Sequence, residues 1–556
     1  MKPKLVNRRI RLLLLALVLA FAALLVRATW IQTVRASSFA RLAQSQQHET
    51  MTIPAPRGTI FDRMGVQLAL GEQGTTIWAN PMQIRDPRRA ARIAGRVLRL
   101  NSATLLPALS DRSHGFVYVQ RKANPARATA LARRKLPGFG FYPEERRAYP
   151  QHTVGAQVLG FAGVDNHGLA GLELQLDREL SGRDGSQTIV KDPFGRPIDV
   201  VERMSERPGR NVYLTLDHTI QANAEQVLRE TIAKWHAKAA SAIVLDPSTG
   251  DILAMAVAPG YDANRFGSAP QELQRNRAVT DTYEPGSTFK LVTVAGALSE
   301  RIVSPSTPFT LPYMIQVADR VIHDAEERGT ERFTVAQILQ RSSNVGAITL
   351  AELLGRRRLA EWIDRFGFGH RTGIDYPGES AGIVLPEDKW SGSTIGNVPI
   401  GQGIAVTPIQ MASVYAAIAN GGVWTRPHLV DHVQGVRPRA TPRRRIVSRA
   451  IAGELMTMLR GVVSDQGTAA TAAIAGYQVA GKTGTAQVPD GNGGYAEGRY
   501  VASFVGIVPA SRPRLVVLVK VDEPRDAIFG GVVAAPAFEQ IARFALQYLE
   551  VPPDAN

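Results

Sequence analysis

The chain has 556 residues, 44% of them hydrophobic and 21% charged, which suits a globular protein of roughly two to four domains and excludes a disordered one. Its formal charge of +16 calls for an anionic neighbour, whether nucleic acid, anionic lipid or an acidic polymer. No zinc-ligand spacing, glycine-rich phosphate loop or aromatic-basic RNA motif accompanies that charge, so nucleic acid is set aside. The chain has no cysteine, which removes disulfides and thiolate metal sites and leaves the compartment open.

The N-terminus decides the compartment. Lys2, Lys4, Arg8, Arg9 and Arg11 precede an uninterrupted apolar run from Leu12 to Val26, followed by Arg27 and Trp30. Basic residues ahead of such a run stay in the cytoplasm and leave the remainder outside. The run is short for a span, but Arg11 and Arg27 can snorkel and Ala28 to Ile31 extend it. We read residues 1–11 as a cytoplasmic tail and 12–31 as an uncleaved transmembrane anchor. The competing reading is a signal peptide cut at Ala20-Phe21-Ala22 or Val26-Arg27-Ala28.

Ser37 to Thr50 is polar and helix-compatible, and Ile53 to Gly65 enters a new domain, with a strand at Thr76 to Pro81 that ends at its proline. Residues 85–147, rich in arginine and alanine, read mainly as amphipathic helices whose charges form a solvated face. Val212 to Asp217 opens a second domain, followed by a helix through Ile220 to Trp235 and a strand, turn, strand from Ser241 to Ala258. Helices follow at 336–340, 350–366 and 408–420. Gln478 to Val488 alternates like an edge strand, 501–508 and 515–521 are further strands, and 535–549 is a closing helix. Helices grouped between the first hairpin and the last three strands argue for an α+β fold, an antiparallel five-stranded sheet with an all-helical subdomain. The short tail, 551–556, leaves no room for an appended wall-binding module.

The chemistry centres on Glu284-Pro285-Gly286-Ser287-Thr288-Phe289-Lys290. Pro-Gly breaks any earlier regular structure and an apolar helical run follows, so Ser287 and Lys290 share a face at a helix start. A serine hydroxyl needs a base to become a nucleophile, and a helix start offers N–H groups to an oxyanion. Ser-x-x-Lys alone arises by chance about once in a chain of this length. Two later stretches change its weight: Ser342-Ser343-Asn344, and Lys482-Thr483-Gly484-Thr485. Three such motifs in this order are the signature of penicillin-binding proteins and class A β-lactamases.

Further segments narrow the resemblance. Arg57-Gly58-Thr59-Ile60-Phe61-Asp62-Arg63 is similar to the opening motif of the N-terminal module of class B penicillin-binding proteins, the single-function transpeptidases. Arg147 to Pro150, Gly160 to Gly163, Gly168 to Glu173 and Lys191 to Arg196 also resemble that module. The Trp78 segment, Lys191 to Ile198, Gly530-Gly531 and Ala535-Pro536 resemble the division-specific, septal members. The resemblance implies the penicillin-recognising serine transpeptidase fold, with a mixed α/β pedestal over residues 32–211 and the transpeptidase domain over 212–550. It gives Arg57, Gly58, Asp62 and Arg63 a structural role, the charged ones in buried ion pairs within the pedestal.

For the reaction, the resemblance implies that Ser287 attacks the penultimate D-Ala carbonyl of a peptidoglycan stem peptide, with Lys290 as base, Ser342 as proton relay and Asn344 holding Lys290 and the substrate backbone. Lys482, Thr483 and Thr485 would face the terminal carboxylate, and the N–H groups of Ser287 and Thr485 would form the oxyanion hole. Gly484 would let substrate lie against the strand. No metal or organic cofactor is expected. The implied partners are stem peptides on lipid-linked nascent glycan, β-lactams bound covalently at Ser287, a membrane glycan polymerase and other division proteins. The implied place is the septal inner membrane, with the catalytic domain outside. A side-wall transpeptidase, a β-lactamase or β-lactam sensor and a non-catalytic scaffold are the alternatives; a pedestal and no evident deacylating base disfavour the lactamase, and intact Ser287, Lys290 and Lys482 disfavour the scaffold. A free lysine has a pKa of about 10.4, so Lys290 must be pushed down by about three units, by burial and by Lys482, the latter expected to stay charged.

Overall fold

The computed structural model describes residues 3–38, 48–191, 197–437, 440–491 and 493–555. Packing divides it into two units, 1–56 with 182–209, and 57–181 with 210–556.

In the first unit a helix spans Pro3–Thr33. Its portion Arg8–Thr33, 26 residues of mean hydropathy 2.5, is long and apolar enough to cross a bilayer. Its leucines, including Leu13 and Leu25, are exposed, which in water would leave a large apolar surface unburied. A three-stranded antiparallel sheet completes the unit: His48–Ile53 pairs with Gly185–Lys191, which pairs with Pro197–Met204. This corrects part of the helical reading of 37–50: residues 39–47 lie outside the described residues, but His48 to Thr50 are strand. Pairing opposite Thr188 to Val190, in a stretch carrying Thr50, Thr52 and Ile53, outweighs a weak local helix preference. Of the segment Lys191 to Arg196, residues 192–196 lie outside the described residues.

In the second unit the residues after Arg57 build a sheet around the long strand Gln67–Ala79, which pairs antiparallel with Ile60–Phe61, Val117–Ala123 and Phe139–Ala148. Residues 85–147 are therefore not mainly helical. Helices Pro87–Leu98, Ser102–Ser110 and Pro125–Ala132 are interspersed with two strands, in the second of which Arg146 is exposed and Arg147 buried. The core here is thin, drawn from Ile77, Ala79, Ala91, Ala94, Leu98, Val119 and Leu131. The sheet continues across the chain: Ile60–Phe61 runs parallel to Val212–Leu214, which pairs antiparallel with Val430–Val433.

The opening motif is partly buried. Arg57 donates from Nε to Glu173 Oε2 (2.7 Å) and from Nη1 to Asp177 Oδ1 (2.6 Å), while Arg147 donates to Glu173 Oε1 (2.6 Å). Glu173 thus sits between two guanidinium groups, all three with side chains at most 3% exposed. Gly58 has no alternative, because a Cβ there would lie 2.0 Å from Arg210 O. Asp62 is fully buried, and its side chain meets the His218 ring at 2.6 Å, beyond the residues expected to form the pedestal. Arg63 departs from the expectation of a buried ion pair: its side chain is exposed and its backbone N–H donates to Leu216 O.

The expected five-stranded antiparallel sheet is present, in the order Ile252–Ala258, Ala239–Leu245, Leu515–Asp522, Tyr495–Val508, Ala480–Pro489. Its central strands are apolar on both faces, since Val516 and Leu518 enter one core while Val517 and Val519 enter the other. Helices His218–Trp235 and Ala535–Tyr548 supply the second core, and Pro408–Ala419 packs into the first. The helical region also carries two short ribbons, Pro308–Leu311 with Glu331–Thr334 and Met314–Val317 with Arg320–His323.

Candidate active site

Ser287 lies in a single tight turn, Gly286–Phe289, that runs directly into the helix Lys290–Ser299. The turn is set against the strand carrying Lys482. Gly286 has φ +55°, and a Cβ there would lie 2.7 Å from Thr485 O, so only glycine admits this approach. From Lys290 to Leu298 every residue of the helix is buried. That apolar run takes the Lys290 amine inside with it, while Ser287 stays half-exposed.

The three motifs meet at one hydroxyl. Lys290 Nζ donates to Ser342 O (2.5 Å), Asn344 Oδ1 (2.7 Å) and Ser342 Oγ (3.2 Å). Lys482 Nζ donates to the same Ser342 Oγ at 2.9 Å. Ser342 holds φ +60°, a left-handed conformation that costs a non-glycine residue about 1 kcal/mol or more. It sits between the helices Val335–Gln340 and Asn344–Leu354, and Ser343 caps the second through Gly346 N.

The lysine strand is the edge of the sheet, as its alternation predicts. Thr483 and Thr485 share one face: Thr483 Oγ1 lies 2.9 Å from Thr468 Oγ1, and Thr485 Oγ1 accepts from Gly530 N at 3.1 Å. Gly484 needs a different explanation from close approach of substrate. A Cβ there would lie 2.4 Å from Ser503 Oγ and 2.8 Å from Pro285 O, so this glycine lets the serine turn and the neighbouring strand close on the lysine strand. Arg57, Gly58, Asp62 and Arg63 form their separate cluster and are not brought to Ser287.

Two buried acids at the site went unnoticed in the sequence. Glu284 accepts from Gly403 N (2.9 Å) and Tyr495 OH (3.0 Å), and burial raises its pKa. Asp324 accepts from the backbone of Asn344 and Val345. Glu284 was legible only as a neighbour of the serine motif, and nothing local marks Asp324.

The family model of the penicillin binding protein transpeptidase domain matches residues 240–543, and that of the penicillin-binding protein dimerisation domain matches 52–214. The chain belongs to the class B penicillin-binding proteins. It is 33% identical to the peptidoglycan D,D-transpeptidase FtsI of Escherichia coli K12, over 99% of this chain and 93% of that protein. It is 36% identical to the penicillin-binding protein PbpB of Mycobacterium tuberculosis, over 95% of this chain and 84% of that one. Among solved structures, penicillin-binding protein 3 of M. tuberculosis complexed with ampicillin superposes with a TM-score of 0.73 at 32% identity, covering 91% of this chain and 98% of that one.

In this penicillin-binding protein burial acts on both amines. It pushes the Lys290 pKa down to about 7, against the opposing pull of the Asp324 carboxylate. It pushes Lys482 well below the ordinary lysine range, with repulsion from Lys290 adding to the effect. The expectation that burial is the larger cause holds, and burial disfavours the charged form of Lys482 as well. The acceptors around Lys482 among the described residues are neutral, Ser342 Oγ and the carbonyl and hydroxyl of Thr483, so no opposite charge there offsets the loss of water. A substrate carboxylate would favour its charged form. Lys482→Ala is therefore expected to leave the acidic limb of the acylation pH profile within about 0.3 unit of wild type while weakening carboxylate-bearing substrates. A limb displaced upward by about one unit would instead show that Lys482 carries charge in the free enzyme.

Proposed function

We propose that this penicillin-binding protein is a septal peptidoglycan D,D-transpeptidase working through a Ser287 acyl-enzyme. The observation that carries the reading is the meeting of Lys290 and Lys482 on the Ser342 hydroxyl, beside a serine one helical turn away. Neutral Lys290 takes the Ser287 proton as Oγ bonds to the carbonyl carbon of the penultimate D-Ala. The amide C–N bond breaks, and the departing D-Ala nitrogen receives a proton by way of Ser342. The amine of a second stem then attacks the ester and releases Ser287. Backbone N–H groups of Ser287 and Thr485 face the oxyanion, a feature worth about 3–4 kcal/mol per donor in acyl transfer. Lys482, Thr483 and Thr485 hold the terminal carboxylate, and Asn344 holds Lys290 and the substrate backbone.

The assignment extends to the rest of the chain. Residues 1–11 are the cytoplasmic tail, 12–31 the anchor core, 32–211 the pedestal, 212–550 the transpeptidase domain and 551–556 a tail. The catalytic domain lies on the outer side of the membrane at the division site, where pedestal and anchor meet a glycan polymerase and other division proteins. The names of the relatives support the septal reading over the side-wall one, and the ampicillin complex of a relative supports β-lactam capture at Ser287.

A fluorescent penicillin added to dividing cells tests the whole reading. The expected result is a label at midcell that Ser287→Ala abolishes and that persists for many minutes after washing. Release within seconds would make the protein a lactamase, absence of label a scaffold, and label along the side wall an elongation enzyme.

A further inference from the structure

We propose that Asp324 is a positioning residue for acylation, fixing the Ser342 to Asn344 turn that holds Lys290; the inference rests on the reading of the site given above. Asp324 follows the ribbon strand Arg320–His323 and is 5% exposed. Its Oδ1 accepts from Asn344 N (2.5 Å) and Val345 N (3.0 Å), the free donors at the start of helix Asn344–Leu354. Ser343 Oγ lies 3.1 and 3.0 Å from its two oxygens, and Arg328 donates to Oδ2 from Nη2 (2.5 Å) and Nε (3.1 Å).

The preceding residue completes the hold. His323 O accepts from Asn344 Nδ2 at 2.8 Å, which commits the amide nitrogen and turns Oδ1 toward Lys290. A reversed amide would set donor against donor at Lys290 and acceptor against acceptor at His323 O. Residues 323 and 324 thus fix the side chain and the backbone of Asn344 together. Ser342, at φ +60°, occupies a conformation that persists only where its surroundings impose it. The Asp324 hydrogen bonds to the next three residues are such an imposition.

Asp324 also acts through its charge. Among the described residues, the charged groups shown to act on it are Arg328 in its own loop and Lys290 on the serine helix. The ring of His323 makes a 2.7 Å contact to Asp324 O, and Tyr313 OH lies 3.3 Å from that ring. The carboxylate stabilises the Lys290 ammonium and opposes the effect of burial. Removing that charge lowers the Lys290 pKa, so the amine stays neutral to lower pH. Removing Arg328 and leaving the carboxylate does the reverse.

The test is acylation of the full chain in detergent by a fluorescent penicillin across pH 5–9. For Asp324→Asn we expect the acidic limb to move down by about one unit and the plateau rate to fall about tenfold as the turn loosens. For Arg328→Gln we expect the limb to move up. A role in stability alone would lower the melting temperature and leave both limbs within about 0.2 unit of wild type, and that result overturns the inference. Should Asp324→Asn not fold, the direction of the Arg328→Gln shift decides. Wild-type protein that fails to label at Ser287 overturns the reading of the site, whereas labelled wild type with unmoved limbs overturns this inference alone.

Discussion

Replacing Lys290 by alanine is expected to slow acylation of Ser287 by about 10²- to 10⁴-fold for every substrate, with or without a carboxylate. The reason is that this amine follows the Ser287 turn directly and burial makes its neutral form accessible. Burial brings its pKa to about 7, so a large share is neutral at physiological pH where a free lysine would hold its proton almost completely. The sign of the pH dependence follows: the rate falls as pH drops through that value, because the protonated amine cannot accept the Ser287 proton. The shortened side chain removes an amine that is costly to bury, so the variant should fold. Second-order acylation rates of variant and wild type between pH 6 and 9 measure the effect. Acylation within tenfold of wild type over that range would place the base elsewhere.

Glu173→Gln is expected to lower the stability of the second unit by about 3–5 kcal/mol. Glu173 is the shared anion between Arg57 and Arg147, whose side chains are 0% and 3% exposed. An amide of the same size keeps the packing and leaves two buried cations facing a neutral group, with Asp177 remaining for Arg57 alone. Tyr149 OH, 3.3 Å from the same carboxylate, loses its charged acceptor as well. Thermal unfolding followed by circular dichroism should show the midpoint falling by more than about 5 °C, and a drop under about 2 °C would mean that the cluster contributes little.

How much of this was legible depended on whether a feature's cause was local. The five strands of the catalytic sheet read correctly because 242–245 and 515–519 are unbroken apolar runs, which their burial on both faces requires. Val117–Ala123 and Phe139–Ala148 were hidden because each carries arginine or glutamate along a face turned from a thin core, and such charge resembles a helix surface. The three catalytic motifs stood out by residue type and order. Asp324 did not, because its partners Ser343, Asn344 and Val345 lie about twenty residues away and only folding brings them to it. The burial of Lys482 was not legible for a related reason. Its surroundings, a serine and a threonine in place of a carboxylate, exist only in three dimensions.

The shared hydroxyl of Ser342 carries a consequence for the reaction's two halves. A hydroxyl can pass a proton in either direction without moving its oxygen, and it stands between two amines that are both reluctant to be charged. On the relay proposed for Ser342, microscopic reversibility makes the route that delivers a proton to the departing amine also the route that strips one from the arriving amine. One seat beside the ester therefore serves leaving group and acceptor in turn. A leaving group that stays tethered to the acyl chain keeps that seat filled, and the ping-pong cycle halts at its midpoint with Ser287 still esterified.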